Sequence, residues 1–345
     1  MSTSQNSPVG VIGAGSFGTV VANLLAENSE VLLYARRPNA VAQMQKERKS
    51  AGYVLHPKVQ PTNDLETIVS RCSVLFPIVA SSGFRETMRG LSPYLRPYHV
   101  VIHGTKGLDV TQSENLPLTR DRVKTMSEVI REETIAVRIG CLAGPNLARE
   151  LGEGQPAATV VASRFDEVIQ TGQQLLRNDL FQVYGSDDLV GIELCGILKN
   201  IIAIASGALS GLSLGENARA LLISRGLLEM ITIGKALGGN TEAFMGVAGV
   251  GDLVATCFST HSRNYTVGYR LARGETLDSI VEEMEEMAEG VNTTRIVKQL
   301  ADYYQITAPI TRMLYRMLFE NLSAQRAMEG LMKIPLGEGE DVNVL

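Results

Sequence analysis

Residues 8–37 read PVGVIGAGSFGTVVANLLAENSEVLLYARR, and the fold can be built outward from them. The apolar run Pro8 to Ile12 has the length of a buried strand. It passes straight into Gly13-Ala14-Gly15-Ser16-Phe17-Gly18. Val20, Val21, Leu24 and Leu25 then recur at helical spacing, with Asn28 near the end of the pattern, and a second strand follows over Glu30 to Ala35. Glycines at this spacing permit a tight turn and close approach of a pyrophosphate, and a helix N-terminus favours its negative charge. Alone the motif is weak, and a plain glycine turn would also suit a strand–helix–strand unit. Its setting between a strand and a helix points to a dinucleotide site.

The residues after the second strand bear on the choice of cofactor. An NAD site usually places Asp or Glu about 20 residues after the glycines. Here the chain reads Leu33-Tyr34-Ala35-Arg36-Arg37. The two arginines could hold the 2′-phosphate of NADP, so NADP is favoured over NAD; either could equally be a solvated loop charge. Further strands are expected over Ser73 to Val79, where Pro77 removes a ladder donor, and over His99 to His103. The latter ends at Gly104-Thr105-Lys106-Gly107, which sets Lys106 at a strand's carboxyl end, where open α/β sheets bind ligands. A strand over Ile135 to Leu142 delivers Ala143-Gly144-Pro145-Asn146 to the same edge. The polar stretch Val110 to Glu133 holds one helix near Val123 to Ile130. Strands over Ala157 to Ala162 and Phe181 to Tyr184 flank a helix around Phe165 to Leu176. Past Gly185 long helical periods take over. The expectation is therefore an α/β Rossmann-type dinucleotide-binding domain over residues 1–186 and an all-α domain over 187–345.

Composition narrows the class. A chain of 345 residues is too long for one ordinary core, and 45% hydrophobic content supports packed globular structure. A net charge of -5 and few aromatics argue against nucleic-acid binding, so any phosphate needs a local basic cluster. Cys72, Cys141, Cys195 and Cys257 lack CxxC spacing and read as reduced core residues of a cytosolic protein. No HExxH or other metal pattern is present, and no metal is expected. The polar start MSTSQNSP carries no apolar signal region, so export and membrane anchoring are not expected.

The helical half opens on Gly191 to Ala205, GIELCGILKNIIAIA. Between Leu189 and Gly215 the ionisable charges are Glu193 and Lys199. The run is long enough to span a membrane, but its charges, its Asn and its glycines favour a buried helix. A lysine there needs a partner or a task, unless it snorkels to water from one end. A helix over Asn217 to Leu237 follows. Then a Gly-rich turn, Val247 to Gly251, presents Asp252, with Thr256, Ser262, Arg263 and Asn264 close behind. The glutamates of Ser279 to Ala288 accompany an apolar stripe of Ile280, Val281, Met284 and Met287, which marks a solvated face. Helices around Thr293 to Tyr303, Thr311 to Leu322 and Ala324 to Met332 finish the chain. Lys106, Asn146, Lys199, Asp252, Thr256, Arg263 and Asn264 are too polar for their apolar, Gly-rich contexts unless they converge. A nicotinamide cofactor implies hydride transfer, and alcohol oxidation also needs a group to take the hydroxyl proton. Lys199 serves if burial and nearby positive charge lower its pKa. Asp252 would orient it, Lys106 would depress its pKa and polarise a carbonyl, and Arg263 with Asn264 suits a phosphate.

At this point the chain resembles the NAD(P)-dependent glycerol-3-phosphate dehydrogenases in their bacterial form. The likeness covers almost the whole sequence: GAGSFGT at Gly13 to Thr19, TKGL at Thr105 to Leu108, MSEVI at Met126 to Ile130 and AGPNLARE at Ala143 to Glu150. It continues through ELCGILKN at Glu193 to Asn200, GVGDLVATC at Gly249 to Cys257, SRN at Ser262 to Asn264 and AEG at Ala288 to Gly290. The resemblance implies interconversion of sn-glycerol 3-phosphate and dihydroxyacetone phosphate, feeding phospholipid synthesis. It makes Lys199 the proton acceptor, with Lys106, Asp252 and Thr256 in the catalytic set. It implies substrate contacts from Lys106, Gly144, Asn146, Lys199, Asp252, Ser262, Arg263 and Asn264. For the cofactor it implies Gly13, Gly15, Ser16, Phe17, Gly18, Arg36, Arg37, Lys106, Ala148, Arg263, Met287 and Glu289. Small molecules are the expected partners, with no nucleic acid and no membrane span, and with a homodimer open. Three departures from the family pattern stand out: Asn146 where bacterial members usually have Ser, Cys195 for a small Gly, and a longer stretch from Val110 to Arg122. Two other readings stay open. One is a related two-domain dehydrogenase for another small phosphorylated or carboxylated alcohol; the other is a non-catalytic NADP-binding regulator.

Overall fold

The computed structural model describes residues 7–110, 118–284 and 288–333. The chain divides into two compact units, residues 1–109 with 124–189 and residues 110–123 with 190–345.

The first unit is an α/β sheet. Its strands are β1 (Val9–Ile12), β2 (Val31–Tyr34), β3 (Lys49–Ser50), β4 (Tyr53–Val54), β5 (Val59–Thr62), β6 (Val74–Pro77) and β7 (Val100–His103). β8 (Leu108–Val110) and β9 (Val123–Thr125) flank the 110–123 excursion, and β10 (Arg138–Ala143), β11 (Ala157–Ser163) and β12 (Phe181–Ser186) follow. Eight of them form one sheet in the order β12-β11-β10-β7-β6-β1-β2-β5. Every pairing is parallel except β10 with β11. The helices are α1 (Ser16–Asn28), α2 (Pro38–Glu47), α3 (Leu65–Arg71), α4 (Phe84–Leu91), α5 (Met126–Glu133), α6 (Ala148–Gly152) and α7 (Asp166–Leu176). Alternation along β1 explains the layering: Val9 and Val11 join one core cluster with Val21 and Leu25 of α1, while Ile12 joins another with Ile68, Phe84 and Met88. With both faces covered, the inner strands read as continuous apolar runs. From β1 the chain steps outward to β2 and β5, then returns to the other side at β6. That reversal opens a crevice at the carboxyl end of β1.

Some expectations need correction. β5 is absent from the sequence reading, because Gln60, Pro61 and Thr62 hide it; an edge strand tolerates a proline that an inner one resists. Pro77 closes the inner strand β6, where its missing donor costs little, and its carbonyl accepts from the Gly104 N–H at 3.0 Å. The expected helix from Val123 begins instead at Met126, set by a capping box of Thr125 and Glu128. The 110–123 segment, assigned from sequence to the first domain, groups with the second unit, where the Arg120 N–H donates to the Tyr304 hydroxyl at 3.1 Å.

The second unit is helical: α8 (Leu189–Gly211), α9 (Glu216–Ala236), α10 (Thr241–Met245), α11 (Asp252–Phe258), α12 (Arg263–Ala272), α13 (Leu277–Glu283), α14 (Glu289–Tyr303), α15 (Pro309–Phe319) and α16 (Ala324–Lys333). The helix over the glutamate run stops at Glu283, with Met284 as its cap, and Met287 lies outside the described residues. α8 is long and apolar enough to cross a membrane, yet 89% of its most apolar window is buried inside the protein, so it is a core helix. α8 and α12 cross backbone to backbone. A Cβ at Gly207 would lie 1.9 Å from the Tyr265 carbonyl oxygen, and one at Gly268 would lie 1.8 Å from that of Ile204. This crossing puts the Ser262 end of α12 beside the middle of α8.

Candidate active site

In the first unit the glycine turn makes a cradle that side chains would fill. Gly13 has φ +121°, and a Cβ there would meet the Ile78 carbonyl oxygen at 2.1 Å; one at Gly18 would meet that of Gly13 at 2.0 Å. Gly15 is the N-cap of α1 and supplies no side chain, and Ser16 is the first helical residue, so the first-turn amides of α1 are left for an anion. The adjoining cleft, about 1170 Å³, is lined by Gly13, Gly15, Arg36, Arg37 and Lys49, among others. Arg36 and Arg37 are exposed at the end of β2, and no acid occupies the end of that strand. These features fit a dinucleotide with a 2′-phosphate. Phe17 is half-buried on the first turn of α1, and Ala148 opens α6.

At the carboxyl ends of β7 and β10, Lys106 Nζ donates to the Gly144 carbonyl at 3.3 Å. Two residues on, Asn146 Nδ2 contacts Thr159 Oγ1 at 2.8 Å. The Thr159 hydroxyl gives its one hydrogen to the Ala143 carbonyl at 3.1 Å, so it must accept from Asn146, and this orients the amide. The buried Asn146 Oδ1 then has no hydrogen-bond partner among the described residues. It can accept from a ligand hydroxyl or amide, which a serine at this position would reach less far to do.

The second unit settles the two readings of Lys199. The side chain does not snorkel: it is 5% exposed, and its Nζ donates to Asp252 Oδ1 at 2.5 Å and to Thr256 Oγ1 at 2.7 Å. The Thr256 hydroxyl donates in turn to Asp252 Oδ1 at 3.2 Å. Asp252 opens α11 and Thr256 lies one turn later, so helical spacing puts both on the face toward α8. Asp252 gives the Lys199 amine the partner that a buried charge needs.

A second polar chain runs beside it. Asn264 Nδ2 donates to Asn200 Oδ1 at 2.9 Å, and Asn264 Oδ1 accepts from the Gly290 N–H at 2.9 Å. Asn264 therefore joins α8, α12 and α14, and the residues flanking its partners are Lys199 and Glu289. One hydrogen of its amide remains without a protein acceptor among the described residues, available to a phosphate. Ser262 caps α12 by accepting from the Tyr265 N–H at 3.3 Å, which keeps its own hydroxyl hydrogen for donation. Arg263 is exposed and Glu289 half-buried at the start of α14. Asn200, which the sequence reading does not single out, holds Asn264 in place; its signal is an amide directly after the odd lysine in an apolar helix. The four cysteines are buried thiols outside any disulfide, and burial pushes the thiols of Cys72 and Cys257 up to about 12, so neither is a nucleophile. Among the described residues no His, Cys, Asp and Glu group suits a metal.

A sheet whose glycine turn and basic cleft fit a dinucleotide, followed in one chain by a helical unit that pairs a buried lysine with an acid, has the form of a two-domain nicotinamide-dependent dehydrogenase. Comparison with known proteins gives the family. The family model described as NAD-dependent glycerol-3-phosphate dehydrogenase N-terminus matches residues 8–169, and the C-terminus model matches residues 188–329. The chain belongs to this family. A glycerol-3-phosphate dehydrogenase (NAD(P)+) of Staphylococcus saprophyticus is 38% identical over 335 residues, covering 94% of this chain and 98% of that one. One of Ectopseudomonas mendocina is 39% identical over 331 residues, covering 94% of each chain. The crystal structure of glycerol-3-phosphate dehydrogenase from Coxiella burnetii is 33% identical, with a TM-score of 0.86, over 95% of this chain and 99% of that one.

Proposed function

We propose that this protein interconverts sn-glycerol 3-phosphate and dihydroxyacetone phosphate with NAD(P)(H), with NADPH preferred, and supplies glycerol 3-phosphate for phospholipid synthesis. The observation that carries the reading is the buried Lys199–Asp252–Thr256 set, which a non-catalytic binder would not need. The glycine turn and α1 hold the pyrophosphate, and Arg36 with Arg37 holds the 2′-phosphate. When bound, the nicotinamide supplies or accepts the hydride. Lys199 passes a proton to the carbonyl oxygen in reduction and recovers it from the hydroxyl in oxidation. Asp252 keeps the amine charged and aimed, and Thr256 braces both. Lys106 assists by polarising the carbonyl, Gly144 and Asn146 contact the substrate, and Ser262, Arg263 and Asn264 grip its phosphate. Ala148 and Glu289 complete the cofactor contacts. The phosphate grip is what sets this reading apart from a dehydrogenase for a carboxylated alcohol. The enzyme is cytoplasmic, works on small molecules and pairs as a homodimer.

The direct test is NADPH oxidation with dihydroxyacetone phosphate, followed by the fall in the reduced cofactor's absorbance. Turnover that requires the phosphorylated ketone supports the assignment, and cofactor binding without turnover on any small ketone refutes it. Gel filtration of the purified protein tests the dimer.

A further inference from the structure

The hairpin of β3 and β4 played no part in the sequence reading, yet Lys49, Ser50, Ala51 and Gly52 line the cofactor cleft. Its tip, Ala51–Gly52, has φ of +47° and +85°, the double positive φ of a tight hairpin turn. An alanine holds that conformation only where its surroundings impose it, and here they are visible. Asn23 of α1 donates to the Val54 carbonyl at 2.8 Å and accepts from the His56 N–H at 2.9 Å. The hairpin is thereby fastened to the helix that leaves the glycine turn.

Ser50 makes the tie that matters for the ligand. It is 6% exposed, and its hydroxyl donates to the Ala14 carbonyl at 3.1 Å. Its Oγ also lies 2.9 Å from Thr19 Oγ1, and Thr19 is fully buried. A serine has one hydroxyl hydrogen; with that spent on Ala14, Thr19 donates in the second bond. The Ala14 carbonyl belongs to the peptide between Ala14 and Gly15, inside the cradle. In a planar trans peptide the C=O and N–H point in opposite directions, so holding the carbonyl toward Ser50 turns the Gly15 N–H the other way.

We propose that Ser50, braced by Thr19, is a positioning residue for the dinucleotide pyrophosphate: it locks the Ala14–Gly15 peptide so that the Gly15 amide is presented to the anion at the start of α1. The proposal rests on the dinucleotide reading of the cleft. Neighbours in the cleft act on other parts of the ligand, Arg36 and Arg37 on the 2′-phosphate.

The test is equilibrium binding to the full-length protein of three probes: NADPH, ADP and 2′-AMP. The first two carry a pyrophosphate; the third carries the 2′-phosphate alone. Loss of one neutral hydrogen bond predicts that Ser50→Ala weakens NADPH and ADP by about 3- to 10-fold, with 2′-AMP unchanged. Thr19→Val gives a smaller loss of the same pattern, and Ser50→Thr, which keeps the hydroxyl, recovers the affinity. Unchanged NADPH and ADP affinity in Ser50→Ala overturns the proposal. So does an equal loss on all three probes, which would mean that the hairpin merely collapses. A wild-type protein that binds none of the probes overturns the dinucleotide reading itself, and the role of Ser50 with it.

Discussion

Replacing Lys199 by Met keeps the side chain's length in α8 and removes its ammonium, with two separable consequences. The catalytic one is loss of proton transfer, a factor of roughly 10²–10⁴ in rate. The other is a loss of stability, and it follows from Asp252. That residue is 1% exposed and lies 2.5 Å from the Lys199 amine. Removing one partner of a buried ion pair leaves the other charge desolvated, at roughly 3–5 kcal/mol. For a folding unit of this size each kcal/mol moves the midpoint by about 2–4 °C. The product of the two ranges is a fall of roughly 6–20 °C in Tm. Adding Asp252→Asn removes the stranded charge, so the double variant regains most of the stability and none of the activity. Thermal melts by circular dichroism, run beside NADPH oxidation assays, read both effects. Near-native turnover in Lys199→Met refutes the proton-transfer role. A single variant as stable as the wild type, or a double variant no more stable than the single, refutes the ion-pair account.

Three further outcomes are expected. Arg263→Ala should cut catalytic efficiency on dihydroxyacetone phosphate by roughly 10- to 150-fold, the value of one charge-assisted bond, and should barely affect dihydroxyacetone; equal losses on both substrates remove Arg263 from the phosphate site. The wild type should prefer NADPH over NADH, and Arg36→Ala or Arg37→Ala should shrink that preference by a similar factor while NADH kinetics hold; a preference untouched by both changes rejects the 2′-phosphate contact. The third concerns Glu229 of α9, whose carboxylate accepts from the Ile310 and Thr311 N–H groups at 2.7 and 2.8 Å at the start of α15. Burial holds its carboxyl above the ordinary carboxylate range despite those bonds. The folded state therefore binds the proton more tightly than the unfolded one, and stability falls as pH rises from the ordinary carboxylate value through the folded one. Urea midpoints across that window should show this slope in the wild type and lose it in Glu229→Gln; an unchanged slope assigns it to another group.

What the amino-acid sequence determined by itself is what local physics can specify. The β1–turn–α1–β2 unit is readable because glycine spacing and apolar period act within a few residues. Lys199 is readable because a charge in an apolar helix is anomalous whatever lies across from it, and the absence of an acid after β2 needs no partner to be seen. The expected helices over Asn217 to Leu237 and Thr293 to Tyr303 lie close to α9 and α14 for the same reason. Tertiary structure decided the rest. Lys199 meets Asp252 across 53 residues of chain, Asn264 meets Asn200 across 64, and Ser50 meets Ala14 across 36. No periodicity encodes such pairings. Asn264 reaches Asn200 because Gly207 and Gly268 let α8 and α12 touch. Lys199 reaches Asp252 because α11 packs on α8, where Ser206 donates to the Cys257 carbonyl. Ser50 reaches Ala14 because a hairpin tip is pinned beside the glycine turn. β5 escaped notice because its place beside β2, rather than its own composition, makes it a strand. The grouping of the 110–123 segment escaped for a related reason: a polar stretch with no apolar stripe of its own carries no mark of the unit that it belongs to. Local preference is a short-range energy, while the choice of partner across the chain is settled by which surfaces can be buried together.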